Sequence, residues 1–478
     1  MRLHLLFTSN IILAILAYFQ ISKNEVYTQS TSDVYTMEFV KVAGTEFLLN
    51  NKIWKPVGFN TYLLIEQAAE LPYGSFNAIY SDGFGKKEIL KQFEQAIFLN
   101  FTCVRTWFYS INSKYPLFIE DKVYDERLLG ALDWVTAAAR AHGLKLILSF
   151  TDFWPENGGI ASLMLLSRKS IDLYSDHSEQ HGKGSFFTDQ NYFTLYIRHI
   201  EHLLLRRSKI TGTRYCDEST VMAWELMVSL FFNNIYIIYF ELLFLELFVQ
   251  NEPRCRLCGE GILQKWILSA AKAVKSVDKR HLLTVGEEGF YASTKSYVNP
   301  AKWASDTGQN FIFDHLFAEI DYASSHLWTE NWNLFSLWNR KWVEDGSLNF
   351  SKTWIEEHSK DSLNILQKPF VLSEYGSTGF GNRNNVIGSL MTTEYRRQTK
   401  VCRFYSEVHT ALLHNKNGAL FWIWHHENLK YLPSYQDKYG IFASDNVFSS
   451  ASLSFLIESA NIFIAVSAII KIFYIVKK

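Results

Sequence analysis

Two glutamates stand in short polar motifs that could carry acid–base and nucleophilic chemistry. Glu252 lies in Asn251-Glu252-Pro253, where the Asn251 amide could hydrogen-bond a sugar hydroxyl or orient the acid. Glu374 lies in a Ser-Glu-Tyr-Gly motif directly after an apolar run. Retaining glycoside hydrolysis needs a protonated carboxyl that donates to the leaving oxygen, and an ionised carboxyl about 5–5.5 Å away that attacks the anomeric carbon. The two glutamates are therefore candidates for this pair of roles.

Short apolar runs rich in β-branched and aromatic residues must position these carboxyls. They alternate with segments of helical periodicity, a pattern typical of βα units around a parallel sheet. The predicted strands are Lys55–Asn60, Thr102–Trp107, Leu144–Phe150, Val221–Met227, His281–Gly286, Tyr322–Trp328, Pro369–Glu374 and Gly418–Trp424. The predicted helices are Glu88–Leu99, Leu128–His142 with Gly143 as its cap, Tyr192–Arg207 and Gly261–Val277.

This continuous array of strands and helices favours a closed (β/α)8 TIM barrel over an open, doubly wound sheet. We therefore predict the α/β class and a single catalytic domain over residues 33–448. No Gly-x-Gly-x-x-Gly motif follows any of the predicted strands, so we do not expect a dinucleotide-binding site.

Polar and aromatic residues cluster at the carboxyl ends of the predicted strands. In a TIM barrel, the residues that do chemistry lie at these ends, facing the βα loops. The residues found at or just beyond these ends are Arg105, Asp152, Trp154, Asn251, Glu252, His326, Trp328, Glu374, Trp422 and Trp424. Their placement agrees with a site built by the predicted barrel.

The composition fits a globular chain and excludes some partners. Hydrophobic residues make up 48% and charged residues 20%, which is ample for a large core, and the 16% of aromatic residues would suit a cleft that stacks against sugar rings. The net charge of −1 provides no basic field for a phosphate backbone, so nucleic acid is not an expected partner. The single Cys255-x-x-Cys258 pair lacks further ligands at zinc spacing, so no metal site is expected. Disulfides and free buried thiols both remain open for the five cysteines.

The amino-terminal residues have the pattern of a secretory signal peptide. Arg2 and His4 precede the apolar run Ile11–Phe19, which is shorter than the roughly 20 residues that a membrane span needs, and a Ser- and Thr-rich stretch follows. We assign residues 1–30 to this signal and predict a secreted, extracellular or cell-wall protein. Asn100 and Asn349 match the acceptor pattern for N-glycosylation, which fits export.

From about residue 38 to residue 442 the chain resembles glycoside hydrolase family 5, and within it the plant endo-β-mannanases. The resemblance rests on several motifs that occur in the family's order. They are GFNTY (Gly58–Tyr62), VRTW (Val104–Trp107), W-x-x-x-G-G (Trp154–Gly159), ITG (Ile210–Gly212), MAWELM (Met222–Met227), NEPRC (Asn251–Cys255), EGFY (Glu288–Tyr291), His326, KPFVLSEYG (Lys368–Gly376) and ALFW (Ala419–Trp422).

The resemblance implies roles for individual residues. Glu252 would be the acid/base, Glu374 the nucleophile, and Asn251 a contact to the reacting sugar. Arg105 would keep the nucleophile ionised, because a nearby guanidinium lowers a carboxylate pKa. His326 would line the same subsite. The further substrate-binding residues would be Trp422, as the stacking floor beneath the sugar ring, together with Trp154 and Trp328. We do not place Glu288 in the site.

The resemblance also implies the reaction. The expected activity is endo-hydrolysis of β-1,4-mannosidic linkages in mannan, galactomannan and glucomannan, without a cofactor because two carboxyls suffice. We expect a monomer whose partner is the polysaccharide. Two alternatives remain open, namely a related β-1,4-glycanase and a catalytically impaired or inactive glycan-binding product.

The second alternative arises from an insertion. In the family, WELM runs directly into NEPRC, whereas here the apolar segment Val228–Gln250 intervenes and splits the fourth strand from its catalytic tip. Deleting it rejoins WELMNEPRC without a gap, so we hypothesise a retained intron or a gene-model error, which sequencing of the spliced transcript would test. The segment could bulge outward or form a buried extra helix. Alternatively, Leu247–Gln250 could replace the strand end and push Trp224–Met227 out of register.

Three further departures from the family pattern affect the expected site and the chain end. Trp328 stands where the family usually has a tyrosine whose hydroxyl can touch the nucleophile. The DFWPEN stretch around Trp154 lacks the family's paired asparagines, which puts sugar contacts there in doubt. Residues 449–478 form an apolar tail, which we interpret as either a membrane anchor or a mis-called exon.

Overall fold

The computed structural model describes residues 38–70, 83–110, 115–153, 159–166, 182–228, 253–256, 258, 259, 261–332, 340–377, 404, 405, 408, 410, 412, 418–425 and 439–441. The predicted signal peptide, most of the insertion and the apolar tail lie outside these residues. Within them, no helix is long and apolar enough to cross a membrane.

Strands and helices alternate along the described chain. The strands are β1 (Lys41–Ala43), β2 (Glu46–Leu49), β3 (Lys52–Trp54), β4 (Val57–Asn60), β5 (Cys103–Trp107), β6 (Phe118–Glu120), β7 (Val123–Tyr124), β8 (Lys145–Ser149), β9 (Val221–Glu225), β10 (Leu282–Thr284), β11 (Ala323–Leu327), β12 (Phe370–Tyr375) and β13 (Gly418–Phe421). The α-helices are α1 (Leu64–Ala69), α2 (Phe84–Phe98), α3 (Glu126–Ala141), α4 (Ile160–Leu165), α5 (Gln190–Leu205), α6 (Ile262–Val277), α7 (Phe311–His315) and α8 (Arg340–Asp361). Short 3₁₀ turns cover Lys183–Phe187, Tyr215–Asp217, Ser293–Val298 and Lys302–Asp306, and a π-helical turn covers Ser362–Leu366.

Eight parallel strands form the central sheet, in the order β10-β9-β8-β5-β4-β13-β12-β11. The two end strands lie side by side, because Asp321 N donates to Leu283 O at 2.8 Å and Thr284 Oγ1 lies 2.9 Å from Ser324 Oγ. The sheet therefore curls into a nearly closed barrel, and the predicted (β/α)8 fold is confirmed. Each of the eight predicted strands overlaps one strand of this sheet.

Helix α3 shows how local sequence sets the helix ends. The Asp125 carboxylate accepts hydrogen bonds from the backbone N–H groups of Arg127 and Leu128, which have no partner within the helix. At the other end Gly143 adopts a left-handed φ of 71° and Leu144 N donates to Ala139 O at 3.0 Å. This is the glycine cap that the sequence predicted.

A small antiparallel sheet of β1, β2 and β3 closes the amino-terminal end of the barrel. Phe47 of β2 is buried against the first residues of the barrel strands, and its ring lies 5.4 Å from that of Tyr322. This sheet was not among the elements predicted from the sequence. Because one end of the barrel is plugged, the opposite end, where the parallel strands finish, is the end available for a site.

Candidate active site

Glu374 occupies the carboxyl end of β12, inside the barrel. The strand forms because Phe370, Val371 and Leu372 are all buried, and Glu374 is itself only 2% exposed. Its Oε1 atom accepts a hydrogen bond from Arg105 Nη1 at 2.5 Å, and its Oε2 atom lies 3.5 Å from Nδ1 of His326. Two of the residues that the sequence placed beside the nucleophile are therefore in contact with it.

Arg105, on β5, is fully buried and joins three side chains. Its Nε and Nη2 atoms donate to the two oxygens of Glu225 at 2.7 and 2.5 Å, and its Nη1 atom donates to Asn60 Oδ1 at 2.7 Å as well as to Glu374. The guanidinium also lies over the Trp107 ring, 5.0 Å from its centroid. A buried arginine needs such partners, because an uncompensated charge in the interior is strongly destabilising.

The Asn60 side chain fixes the remaining side of Arg105. Its Nδ2 atom donates to the backbone carbonyls of Ser373, Leu420 and Phe421, at 2.8, 3.1 and 3.1 Å. These carbonyls belong to β12 and β13, so the amide joins the first barrel strand to the last two. With its N–H groups committed to carbonyls, the amide presents its oxygen to the guanidinium.

Burial dominates the titration of the site. It raises the pKa of Glu374, and the positive charges of His326 and Arg105 lower that pKa without reversing the shift. Arg105 thus acts in the predicted direction, but desolvation outweighs it. Burial lowers the pKa of His326, and the Glu374 charge partly opposes this shift.

Aromatic rings wall the site. The Trp422 ring lies 6.0 Å from Trp107, 5.9 Å from Trp328 and 5.8 Å from Tyr62, measured between centroids. The peptide bond after Trp422 is cis. The structure therefore brings Trp328 and Trp422 next to each other beside the nucleophile's strand. Trp422 is fully buried among these rings. Its role as the stacking floor beneath a sugar ring stays a prediction.

The fourth barrel strand has a bulge at its start and then pairs regularly with both neighbouring strands from Ala223 to Glu225. Trp224 and Glu225 pair with Leu148 and Ser149 of β8, and Met227 N donates to Val285 O at 3.1 Å. Val228, the first inserted residue, continues this path, since its N donates to Thr151 O at 2.9 Å. The alternative in which Trp224–Met227 are displaced is therefore wrong. Val228 follows Met227 along the path of the strand, at the position where the family motif would continue with Asn251.

The predicted acid/base and its neighbour lie outside the described residues. Glu252, Asn251 and Trp154 are not among the described residues, so the Glu252–Glu374 separation stays a prediction. The chain is described again from Pro253, directly after Glu252.

The chain that follows Glu252 is firmly anchored to the barrel. Arg254, which is 2% exposed, forms an ion pair with Glu288, whose other oxygen accepts from Gln309 Nε2. Gln309 also donates to Pro253 O at 3.2 Å, and Cys255 N donates to Thr307 O at 2.9 Å. The chain from Pro253 to Cys255 is therefore held in place by these contacts.

The described residues on either side of the insertion contact one short segment that follows β10. On the leaving side, Met227 is hydrogen-bonded to Val285; on the returning side, Arg254 is paired with Glu288. Val285 and Glu288 are three positions apart, so their Cα atoms are at most about 11 Å apart. Met227 and Arg254, which lie on either side of the insertion, are therefore in the same neighbourhood of the barrel.

Three residues of the candidate site were not predicted from the sequence. Glu225 resembled part of an ordinary strand, Asn60 belonged to a motif but had no assigned role, and Glu288 was placed outside the site. The structure shows Glu288 buried, with its backbone carbonyl accepting from His326 N at 3.0 Å. A signal for two of them was available in the sequence. Asn60 and Glu225, like Arg105, lie near the carboxyl end of a predicted strand, where inward-facing polar residues gather.

The remaining predictions concern the third strand and the thiols. Asp152 lies past β8 and its Oδ2 atom accepts from Tyr109 Oη at 2.9 Å. Cys255 and Cys258 form a disulfide, whereas Cys103 and Cys216 are buried free thiols. Among the described residues, no group of three or more His, Cys, Asp and Glu side chains is placed to hold a metal ion.

Comparison with known protein families gives a match over most of the chain. A family model described as GH family 5 beta-mannosidase-like matches residues 104–229 and 243–428. The interruption between these two ranges falls inside the segment Val228–Gln250 that the sequence analysis identified as an insertion. The family pattern therefore resumes shortly before Asn251 and Glu252.

Individual relatives agree with this match. The chain is 33% identical over 366 residues to mannan endo-1,4-beta-mannosidase 5 of Solanum lycopersicum, covering 75% of this chain and 76% of the relative. It is 30% identical to mannan endo-1,4-beta-mannosidase 3 of Arabidopsis thaliana, covering 85% and 86% of the two chains. The solved endo-1,4-beta-mannanase from Rhizomucor miehei has a similar fold, with a TM-score of 0.62, 21% identity and coverage of 86% and 96%.

Proposed function

Because the chain belongs to glycoside hydrolase family 5, we propose that it hydrolyses internal β-1,4-mannosidic linkages of mannan, galactomannan and glucomannan. The observation that carries this proposal is the buried Glu374 carboxylate at a strand tip, held on one oxygen by Arg105 and faced on the other by His326. Because these contacts hold the carboxylate in one orientation and oppose its protonation, they support the nucleophilic role that we propose for Glu374.

The proposed mechanism is a retaining double displacement. Glu374 attacks the anomeric carbon while the Glu252 carboxyl protonates the departing glycosidic oxygen, which leaves a glycosyl ester on Glu374. The Glu252 carboxylate then takes a proton from water, and the resulting hydroxide equivalent displaces Glu374 with net retention. The raised pKa of Glu374 does not prevent the first step, because Arg105 and His326 limit the effect of burial on the carboxylate.

The anchoring of residues Pro253–Cys255 supports a role for Glu252. An acid/base must be placed within roughly 0.5 Å of its productive position. Glu252 is bonded directly to Pro253, whose carbonyl is held by Gln309, and the next residue is paired with Glu288. Pro253 and Arg254, which follow Glu252 directly, are therefore held beside the segment that follows β10.

Release of reducing ends from mannan tests the proposal. The wild-type chain should release them, Glu374→Ala should abolish release, and Glu356→Ala, at a half-exposed position of α8 away from the site, should retain it. If Glu374→Ala retains wild-type release, Glu374 is not the nucleophile. If the wild type releases reducing ends from another β-1,4-glycan and not from mannan, the substrate assignment is wrong.

One observation favours a second candidate, a catalytically impaired glycan-binding product. Val228 occupies the place that follows Met227 in the strand, where the uninterrupted family motif would continue into Asn251 and Glu252. A variant lacking Val228–Gln250 distinguishes the candidates, because Met227 and Arg254, on either side of the deleted segment, both contact Val285–Glu288. Activity only in the deletion variant supports the impaired product, whereas comparable activity in both chains supports the enzyme.

We also propose export to the extracellular space or cell wall. The Cys255–Cys258 disulfide supports an oxidising compartment, and the acceptor asparagines Asn100 and Asn349 are both exposed. Fusing residues 1–30 to a reporter protein tests this proposal. Secretion of the reporter is the expected result, and its retention inside the cell would contradict export.

A further inference from the structure

Glu225 lies at the end of β9 and uses both carboxylate oxygens on one partner. Arg105 Nε donates to its Oε2 atom at 2.7 Å and Arg105 Nη2 donates to its Oε1 atom at 2.5 Å. Both side chains are buried, with 0% and 1% exposure for Arg105 and Glu225. This is the bidentate arrangement that binds a guanidinium most strongly and in one orientation.

The pairing decides which edge of the guanidinium faces the nucleophile. An arginine has one two-donor edge made by Nε and Nη2, and a second between Nη1 and Nη2. Glu225 occupies the first edge, and Nη1 is shared by Asn60 and Glu374. Arg105 consequently reaches only Oε1 of Glu374, while His326 faces Oε2.

The backbone leaves little room for Glu225 to move. Gly286, on the neighbouring strand's extension, has a φ of 90°, and a Cβ atom there would lie 2.1 Å from Glu225 Oε1. The side chain is therefore packed directly against backbone that only glycine can supply.

We propose that Glu225 is a positioning residue for the reaction, because it occupies the fork of Arg105 and so limits Arg105 to one hydrogen bond with Glu374. Without Glu225, the fork can turn to Glu374 and bind both of its oxygens. A carboxylate held by two charge-assisted hydrogen bonds is a weaker nucleophile than one held by a single bond. This inference rests on the proposed function, which assigns the attack to Glu374.

The effect of the Glu225 charge on the pKa of Glu374 provides a readout for this role. The groups whose charges interact with Glu225 include Arg105, Tyr322, His326 and Glu374. The negative charge of Glu225 raises the pKa of Glu374, as burial does. Neutralising Glu225 leaves the Arg105 charge uncompensated beside Glu374, so the pKa of Glu374 should fall.

The test uses 2,4-dinitrophenyl β-mannobioside, whose leaving group departs without a proton. The burst phase of dinitrophenolate release and kcat/KM therefore report attack by Glu374 without proton donation from Glu252, whereas kcat also includes the Glu252-dependent hydrolysis of the intermediate. Glu225→Gln should lower kcat/KM and shift its acid limb down by about one pH unit. Glu225→Asp, which keeps the charge, should restore the limb to within a few tenths of a pH unit of wild type.

Glu218→Gln is the matched control. Glu218 precedes the same strand at its opposite end, is 2% exposed on its side chain and is paired with Arg140. This variant should lose stability without moving the acid limb. Equal shifts in Glu225→Gln and Glu218→Gln, or no shift in Glu225→Gln, would overturn the inference.

A second measurement separates the inference from the proposed function. If the wild type releases no dinitrophenolate, the proposed function fails, and NMR titration of the ¹³Cδ-labelled Glu374 carboxyl then decides the inference. The Glu374 signal is identified by its absence in Glu374→Gln. A lower titration midpoint in Glu225→Gln supports the positioning role, and an unchanged midpoint contradicts it.

Discussion

Arg105 Nη1 lies 2.5 Å from Glu374 Oε1, although the two residues are 269 positions apart in the sequence. The contact is possible because β5 and β12 are strands of one barrel whose carboxyl ends face the same side. It joins the proposed nucleophile to a cation that is itself held by Glu225 and Asn60. The reactivity of Glu374 should therefore depend on the shape of Arg105 as well as on its charge.

Arg105→Lys tests this dependence on shape. Lysine keeps the positive charge but has no planar fork, so it cannot hold Glu225, Asn60 and Glu374 together. Misplacement of this kind should lower kcat roughly 10²-fold while the protein remains folded. The measurement is steady-state hydrolysis of mannan with circular dichroism as a check on folding. Arg198→Lys, on the surface of α5, is the control, and a wild-type kcat in Arg105→Lys would refute the argument.

Glu288→Gln should destabilise the fold where Arg254 is anchored, directly after Pro253. The change leaves the buried Arg254 without a counter-charge, and breaking a buried ion pair on one side costs about 3–5 kcal/mol. The double variant Arg254→Met with Glu288→Gln should recover part of this loss, because it removes the uncompensated charge. Chemical unfolding of the three proteins measures the effect. If the double variant is less stable than Glu288→Gln, the pairing is not the cause.

Gly58→Ala should prevent normal folding. A Cβ atom at position 58, in β4, would lie 1.8 Å from the backbone oxygen of Cys103 in the neighbouring strand, which cannot move without breaking the sheet. Gly130→Ala in α3 is the matched control, because nothing lies within 4 Å of its added Cβ atom and alanine favours a helix by about 1 kcal/mol. Thermal unfolding should show loss of the transition for Gly58→Ala and a raised Tm for Gly130→Ala. Similar Tm values would contradict this description of the barrel.

Three buried histidines should make the fold less stable in acid. Burial lowers the pKa values of His199, His358 and His315 from 6.5 to about 4, about 4 and about 3. Below pH 6.5 the unfolded chain takes up protons that the folded chain does not, so stability falls as the pH drops toward 4. Each histidine contributes a slope of about 1.4 kcal/mol per pH unit in this range.

Asp314 has the opposite effect on the pH dependence of folding stability. Burial raises its pKa from 3.8 to about 6, so it favours the folded state at low pH and loses this effect as the pH rises through 6. Three histidines should outweigh one carboxyl. Urea unfolding at pH 7 and pH 5 measures the difference, and His199→Gln should reduce it. A protein that is equally stable at both pH values would show that these histidines are not buried as neutral groups.

The sequence predicted the barrel because its strands are buried on both faces and read as short apolar runs. The run Pro369–Leu372 alone was enough to place Glu374 near a strand end, and β12 ends at Tyr375. The β1–β3 sheet was missed because strands of three or four residues are too short to show a countable alternation.

The network around Glu374 could not be predicted in the same way. Glu225 sits in a strand whose local pattern resembles an ordinary core segment, and its partner Arg105 is 120 positions away. The Asn60 amide binds carbonyls more than 300 positions later in the chain, at separations of 313, 360 and 361. Such contacts depend on how the barrel closes, and a local pattern does not contain that information.

The central claim is that Glu374 attacks the substrate, and a trapped intermediate tests it most directly. The wild-type chain would be incubated with 2,4-dinitrophenyl 2-deoxy-2-fluoro-β-mannobioside, digested, and its labelled peptide sequenced by mass spectrometry. The account predicts a single label, on Glu374, and none in Glu374→Gln. A label on Glu225 or on another carboxylate, with Glu374 unmodified, would contradict it.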